Sequence, residues 1–333
     1  MATTTTPGPR LSALPPTTGQ AGLRGAIASE FTKIRSVRST YWTLAAVLIV
    51  SVGIGAAACA GLAANISNNA VHKAGFDATQ DSLFVFFEIG QLIIAVLGAL
   101  TITAEYATGM IRTSLTAMPR RGVIYAAKAI VFTSVTLVIS LVTSFVAFFL
   151  GQALLSSTGV SASLFHTVKI PANAMRKCLT LAPGASTVPI QGGGPGGGTI
   201  LRGCLHSVVT FSGTDVISSS TVLRAVIGTA LFVTAIAVIA FGLGAILRHT
   251  AATIATVIGV MFVIPIIVQA LPSNWAQDMV RFMPSSAGQV LSVTIAGNGN
   301  GNLWSAWPQF LVTIAYAAVL LAIGAYLFRK RDA

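Results

Sequence analysis

Six uninterrupted apolar stretches, each about as long as a bilayer crossing, leave this chain little choice of fold. They run over about 41–64, 83–103, 123–151, 225–247, 250–271 and 308–328, and are built mainly from Ala, Val, Ile, Leu and Phe. A hydrocarbon core roughly 30 Å thick is crossed by about 20 helical residues. Strands of a membrane barrel are segments of roughly 10 residues with alternating polarity. These stretches are twice that length and do not alternate, so the expected fold is an all-α integral membrane protein with six transmembrane helices. Charge inside the stretches is confined to Glu88 and Lys128.

Composition excludes the soluble alternative. Charged residues make up 8% of the chain and hydrophobic residues 54%, whereas a soluble domain carries about 25% charged residues. The net charge of +12 does not point to nucleic acid, because the basic residues flank the apolar stretches instead of lining one face. Basic residues collect on the cytoplasmic side of short loops. With the N-terminus inside, thirteen of the 20 Lys and Arg residues fall in cytoplasmic segments and seven outside. The expectation is therefore a multi-pass membrane protein with both termini cytoplasmic.

Around the spans the chain divides further. Residues 1–22 lack an apolar period and read as a disordered tail. Residues 23–40 carry Leu23, Ile27, Phe31 and Ile34 on one helical face, with Lys33, Arg35 and Arg38 beside them. That pattern predicts an amphipathic helix lying on the inner membrane surface. Residues 41–333 form the six-helix transmembrane domain. Pro265 removes a backbone donor from the fifth span and predicts a bend there. Trp275, Met279 and Phe282 suggest a short amphipathic helix at the outer interface. The long outer loop, 152–223, holds two glycine triplets together with Cys178 and Cys204. These cysteines face the oxidising side in this topology and are candidates for a disulfide. No metal-ligand spacing is present.

Between the second and third spans lies a cytoplasmic segment, 105–121, in which Ile111, Leu115 and Met118 share one face before Pro119. Periodicity leaves two readings open: a short helix that transmits force from a docked partner, or an ordinary basic loop.

The string "EYATGMIRTSLTAMPRR" is preceded by "GQLIIAVLGALTIT" and followed by "AAKAIV". Together with "SEFTKIRSVRSTYWTL", "GLGAILRHTAATIA" and "LPSNWAQDMVRFMPSSAGQ", these strings resemble the ABC-2 type permeases of bacterial ATP-binding cassette exporters, most closely their actinobacterial branch. The resemblance implies that 105–121 is the coupling segment, with Glu105, Tyr106, Thr108, Gly109 and Arg112 carrying contact to an ATPase subunit. It also implies a second permease subunit, as a homo- or heterodimer, outward transport and a place in a bacterial plasma membrane.

The chain has no G-x-x-x-x-G-K-[ST] loop, the element that cradles nucleotide phosphates. Under this reading it is not itself an enzyme and holds no cofactor; ATP and Mg belong to the partner subunit. An intramembrane carboxylate is a functional candidate by default, which singles out Glu88. Lys128, near the inner end of the third span, reads as an anchor facing the headgroups. The alternatives are an ion-coupled secondary transporter, which needs buried charges in several spans, and a membrane sensor or assembly factor without transport.

Overall fold

The computed structural model describes residues 22–36, 38–68, 77–117, 120–156, 164, 168–169, 186–189, 199–202, 208–210, 216–217, 219–271, 274–294 and 303–330. Cys178 and Cys204 lie outside them. Among the described residues, six helices are long and apolar enough to cross a membrane.

A short helix, α1 (Leu23–Ser36), precedes the first span, α2 (Arg38–Asn68). The second span is composite. It consists of α3 (Ala78–Val85), a π-helical turn over Phe86–Gly90, and α4 (Gln91–Ala107). After it come α5 (Met110–Ala117) and the third span, α6 (Arg121–Leu155). The connection to the fourth span carries short antiparallel pairings: β1 (Val168–Lys169) with β5 (Val216–Ile217), and β2 (Ser186–Pro189) with β3 (Thr199–Arg202), which also pairs with β4 (Val208–Thr210). The fourth span is α7 (Ser219–Leu247). The fifth comprises α8 (Thr250–Ile258), a second π-helical turn over Gly259–Val263, and α9 (Ile264–Ala270). Two short helices, α10 (Asn274–Val280) and α11 (Ser286–Ser292), lead to the sixth span, α12 (Ala306–Lys330).

The fourth span is the axle of the bundle. Its most apolar window is 78% buried, against 22% for the first and sixth spans, and it packs on α4, α6, α11, α12 and α8. Small residues make this possible, since lipid supplies no hydrophobic drive and association rests on close packing. At Gly98 an added Cβ would lie 2.5 Å from the Ala237 carbonyl oxygen, so α4 and α7 touch backbone to backbone. Phe132 and Tyr125 of α6 pack against Phe241. Outward-facing positions are apolar: Trp42, Ile49, Ile266 and Leu311 are between 63% and 75% exposed. Exposed apolar surface on this scale marks contact with something other than water. Trp307 and Tyr326 of α12 are also exposed and stand ~29 Å apart along the helix axis, the spacing of two interfacial aromatic belts.

At Pro265, where the sequence predicts a bend, the structure shows a π-helical turn ahead of the proline. The proline sits in the first turn of α9, directly after the π-helical turn. The wider turn takes up the missing amide donor and the clash with the preceding carbonyl, a recognised origin of helix deviation. The matching π-helical turn in the second span, around Glu88, has no proline to announce it. Likewise, α10 turns Trp275 and Met279 outward, whereas α11, unmarked by any period, is buried against α7 and α12.

Candidate functional site

The last turn of the second span organises one end of the bundle. Helix α4 ends in a hydrogen-bonded cap: the Thr108 amide and hydroxyl both donate to the Ala104 carbonyl, at 3.0 and 2.8 Å. Gly109 follows at φ +70°, the left-handed conformation that commonly ends helices and favours glycine. This residue turns the chain sharply into α5. On α5, Ile111 is buried and Met110 is half exposed. Thr108 and Gly109 are themselves exposed. Arg112 lies on α5, and its side chain is outside the described residues.

Glu105 and Tyr106, adjacent in sequence, diverge around the helix and grip different neighbours. The Glu105 carboxylate accepts from Lys128 of α6 at 2.7 Å and from Lys33 of α1 at 3.5 Å. Lys128 also donates to Glu30 of α1 at 2.5 Å, and Lys33 donates to Glu30 at 2.8 Å. Two carboxylates and two ammoniums thus form one neutral cluster binding α1, α4 and α6. The Lys128 side chain is 6% exposed, so it faces into the protein between carboxylates and not toward headgroups. A lysine in an apolar helix interior is tolerated when paired in this way.

Burial pushes the Glu30 carboxyl up, but the charge and hydrogen bond of Lys128, with help from Lys33, outweigh it and hold the pKa below its ordinary value. Burial pulls the Lys33 ammonium down, and the two carboxylates outweigh that and raise it. Both shifts favour the charged forms.

Tyr106 faces the other flank. The Arg248 guanidinium stacks over its ring, 4.9 Å from the centroid, a cation–π geometry. Phe328 of α12 meets the same ring edge-on at 6.5 Å. Arg248 lies in the two-residue link between α7 and α8 and is held at φ 56°. Its amide donates to the Gly244 carbonyl at 2.9 Å and closes the end of α7. One turn before Glu105, the Thr103 hydroxyl accepts from that of Thr250 at the start of α8, at 3.0 Å. Thr103, Glu105 and Tyr106 therefore connect the second span to α1 and to every other span except the first.

Glu88 stands apart from this joint. It lies in the π-helical turn of the second span, ~26 Å away along the helix axis, partly exposed. Among the described residues it makes no ion pair or hydrogen bond. It is also not the sole acidic residue of its span, since the helix begins at Ala78 and ends at Ala107 and so includes Asp81 and Glu105. Among the described residues, no three His, Cys, Asp or Glu side chains converge as a metal site.

Sequence reasoning singled out Glu105, Tyr106, Thr108 and Gly109 as contact residues, but missed the turn at Gly109 and missed Glu30, Lys33, Lys128 and Arg248 as partners of Glu105 and Tyr106. One signal was available. Lys128 and Glu105 are lone charges of opposite sign, both close to the same end of neighbouring spans. A comparison with curated proteins finds no match. Residues 26–187 match the family model of ABC-2 family transporter proteins, a stretch that contains all four members of the ion cluster. Those residues carry an ABC-2 family transporter domain, which together with the six membrane-crossing helices supports a multi-pass permease of an ABC-type transporter.

Proposed function

We propose that this chain is the permease subunit of an ABC-2 type exporter and that it forms the translocation pathway with a second permease subunit. It couples to a separate ATPase subunit that binds ATP and Mg. The end of the bundle carrying α1 and α5 faces the cytoplasm, with both chain termini. The observation that carries this reading is the joint at Glu105 and Tyr106. A partner pressing on α5 pushes through the Gly109 turn onto the last turn of the second span. From there the ion cluster passes the displacement to α1 and α6, and Tyr106 passes it to Arg248 and Phe328. Such rigid connections move helices together instead of letting one turn fray. The residues involved carry force, not bond chemistry.

Co-expression with a cognate ATP-binding cassette subunit tests the proposal. Complex formation and ATP turnover should both fall when Met110 and Thr113, exposed on α5, are replaced by aspartate. An unchanged complex would remove α5 as the dock. Orientation is tested separately by a single cysteine at Thr113 or Thr116, both exposed on α5. A reagent that cannot enter intact cells should leave these positions unlabelled. The ion-coupled alternative places the work on Glu88, but a charge pathway needs partners in several spans, and among the described residues Glu88 has none.

A further inference from the structure

Beside the ion cluster, at the same end of the bundle, a groove of about 580 Å³ opens between α1, the start of α6 and the end of α12. Its polar lining comes from Arg120, Arg121 and Arg329, and its apolar lining from Leu23, Val123 and Ala126. Among the described residues, no carboxylate lines it. The acidic residues nearby, Glu30 and Glu105, are already engaged by Lys33 and Lys128. The positive end of α6 adds to the field of the arginines, and Arg120 provides no side-chain cap there.

The level of the groove in the bilayer follows from helix length. α12 has 25 residues, so it is ~37 Å long and exceeds the ~30 Å hydrocarbon core. Its last turn, with Arg329, therefore stands among the headgroups, while Ala126, more than a turn into α6, borders the acyl region. Phosphate-binding guanidiniums above an apolar floor at this depth match one kind of molecule: a lipid with an anionic headgroup and acyl chains. Basic pockets between membrane helices take such headgroups.

We propose that this groove is a binding site for one anionic phospholipid, held by its phosphate between Arg120, Arg121 and Arg329, with its acyl chains against Leu23, Val123 and Ala126. The site is independent of ATPase docking and of which way the protein faces. A lipid seated there touches α1 and both flanking spans, so it would brace the same end of the bundle that the ion cluster holds.

The full-length protein, delipidated in a neutral detergent, is titrated with phosphatidylglycerol and, separately, with phosphatidylcholine, and bound lipid is counted by native mass spectrometry. Phosphatidylglycerol should be retained in preference to phosphatidylcholine. Combining Arg120→Gln with Arg329→Gln should weaken its binding roughly 30-fold, at about a factor of five per basic residue near a lipid surface. Ala126→Trp, which fills the floor and leaves every charge in place, should also reduce retention and so separates groove occupancy from general surface charge. Equal binding of the two lipids would overturn the proposal, as would unchanged phosphatidylglycerol binding in the double arginine variant. Displacement of the lipid by millimolar inorganic phosphate would reassign the groove to a soluble anion. If the arginine variant lost the ATPase subunit in lipid-free detergent while keeping phosphatidylglycerol, the groove would be a protein dock and the proposal would fail.

Discussion

Replacing Lys128 with methionine removes the positive centre of the buried cluster while keeping most of the side-chain volume. The Lys128 ammonium lies 2.5 Å from Glu30 and 2.7 Å from Glu105, and the three side chains are 6%, 7% and 13% exposed. Without Lys128, both carboxylates face the single ammonium of Lys33. Removing one partner from a buried pair costs about 3–5 kcal/mol, because the other charge is stranded out of water. Lys33 is 35% exposed and already touches both carboxylates, at 2.8 and 3.5 Å. It can shift to share its charge between them, so the lower figure applies, about 3 kcal/mol.

The same geometry predicts a much smaller effect at Lys33, whose ammonium is screened by solvent. Lys33→Met should cost about 1 kcal/mol or less. Adding Glu105→Gln to Lys128→Met removes one stranded charge and should recover about 1.5 kcal/mol, since contacting residues are coupled. Reversible unfolding of the purified protein in mixed micelles, followed by far-UV circular dichroism, measures all three variants on one scale. Equal losses for the two lysine variants would refute the claim that burial sets the strength of this cluster. So would a Glu105→Gln substitution that deepens the Lys128→Met defect instead of relieving it.

Other consequences follow from the same coordinates. Glu30 is held below its ordinary value of 4.5, so its contribution to stability is present above that pH and is lost as pH falls through its lower folded value. Lys33 is raised above 10.5, so its contribution is complete below that pH and is lost as pH rises through the folded value. A stability profile against pH should therefore lose part of its acid limb in Glu30→Gln, with no change near neutrality in the slope owed to these two groups. Gly109→Ala should cost about 1–2 kcal/mol from backbone strain alone, since nothing lies within 4 Å of the added Cβ; Gly109→Asn should cost less, and thermal unfolding compares the two. Gly98→Ala should destabilise by about 1–3 kcal/mol, because its Cβ meets a backbone carbonyl on α7. Gly61→Ala, which meets nothing within 4 Å, should be neutral or stabilising by up to about 1 kcal/mol in the same assay.

What the sequence reveals about this molecule depends on whether a feature is local. Span number and span type follow from run length, because each apolar helix satisfies its own backbone and must meet lipid or another helix. The turn at Gly109 went unread in the sequence although its residue type allows it, since glycine after a helix end tolerates a positive φ. The face of α1 bearing Leu23 and Phe31 also follows from spacing, and both residues are exposed, as a lipid-facing stripe requires. Glu30 sits on the neighbouring face with Ala26, turned into the bundle. Nothing within α1 distinguishes it from a solvated glutamate, for its partner Lys128 lies 98 positions further on. The π-helical turn at Phe86–Gly90 is equally silent, because it answers to packing against α2 and α6 and has no proline of its own. The four charges of the joint share one arrangement: each is paired with an opposite charge from another element. A cluster of this kind holds α1 in register with the second and third spans more firmly than apolar packing does, because sliding by one turn would strand charge instead of exchanging one methyl contact for another. Under the proposed coupling role, force arriving at α5 would reach α1 and α6 as displacement of whole helices, because the ion cluster ties both to the last turn of the second span.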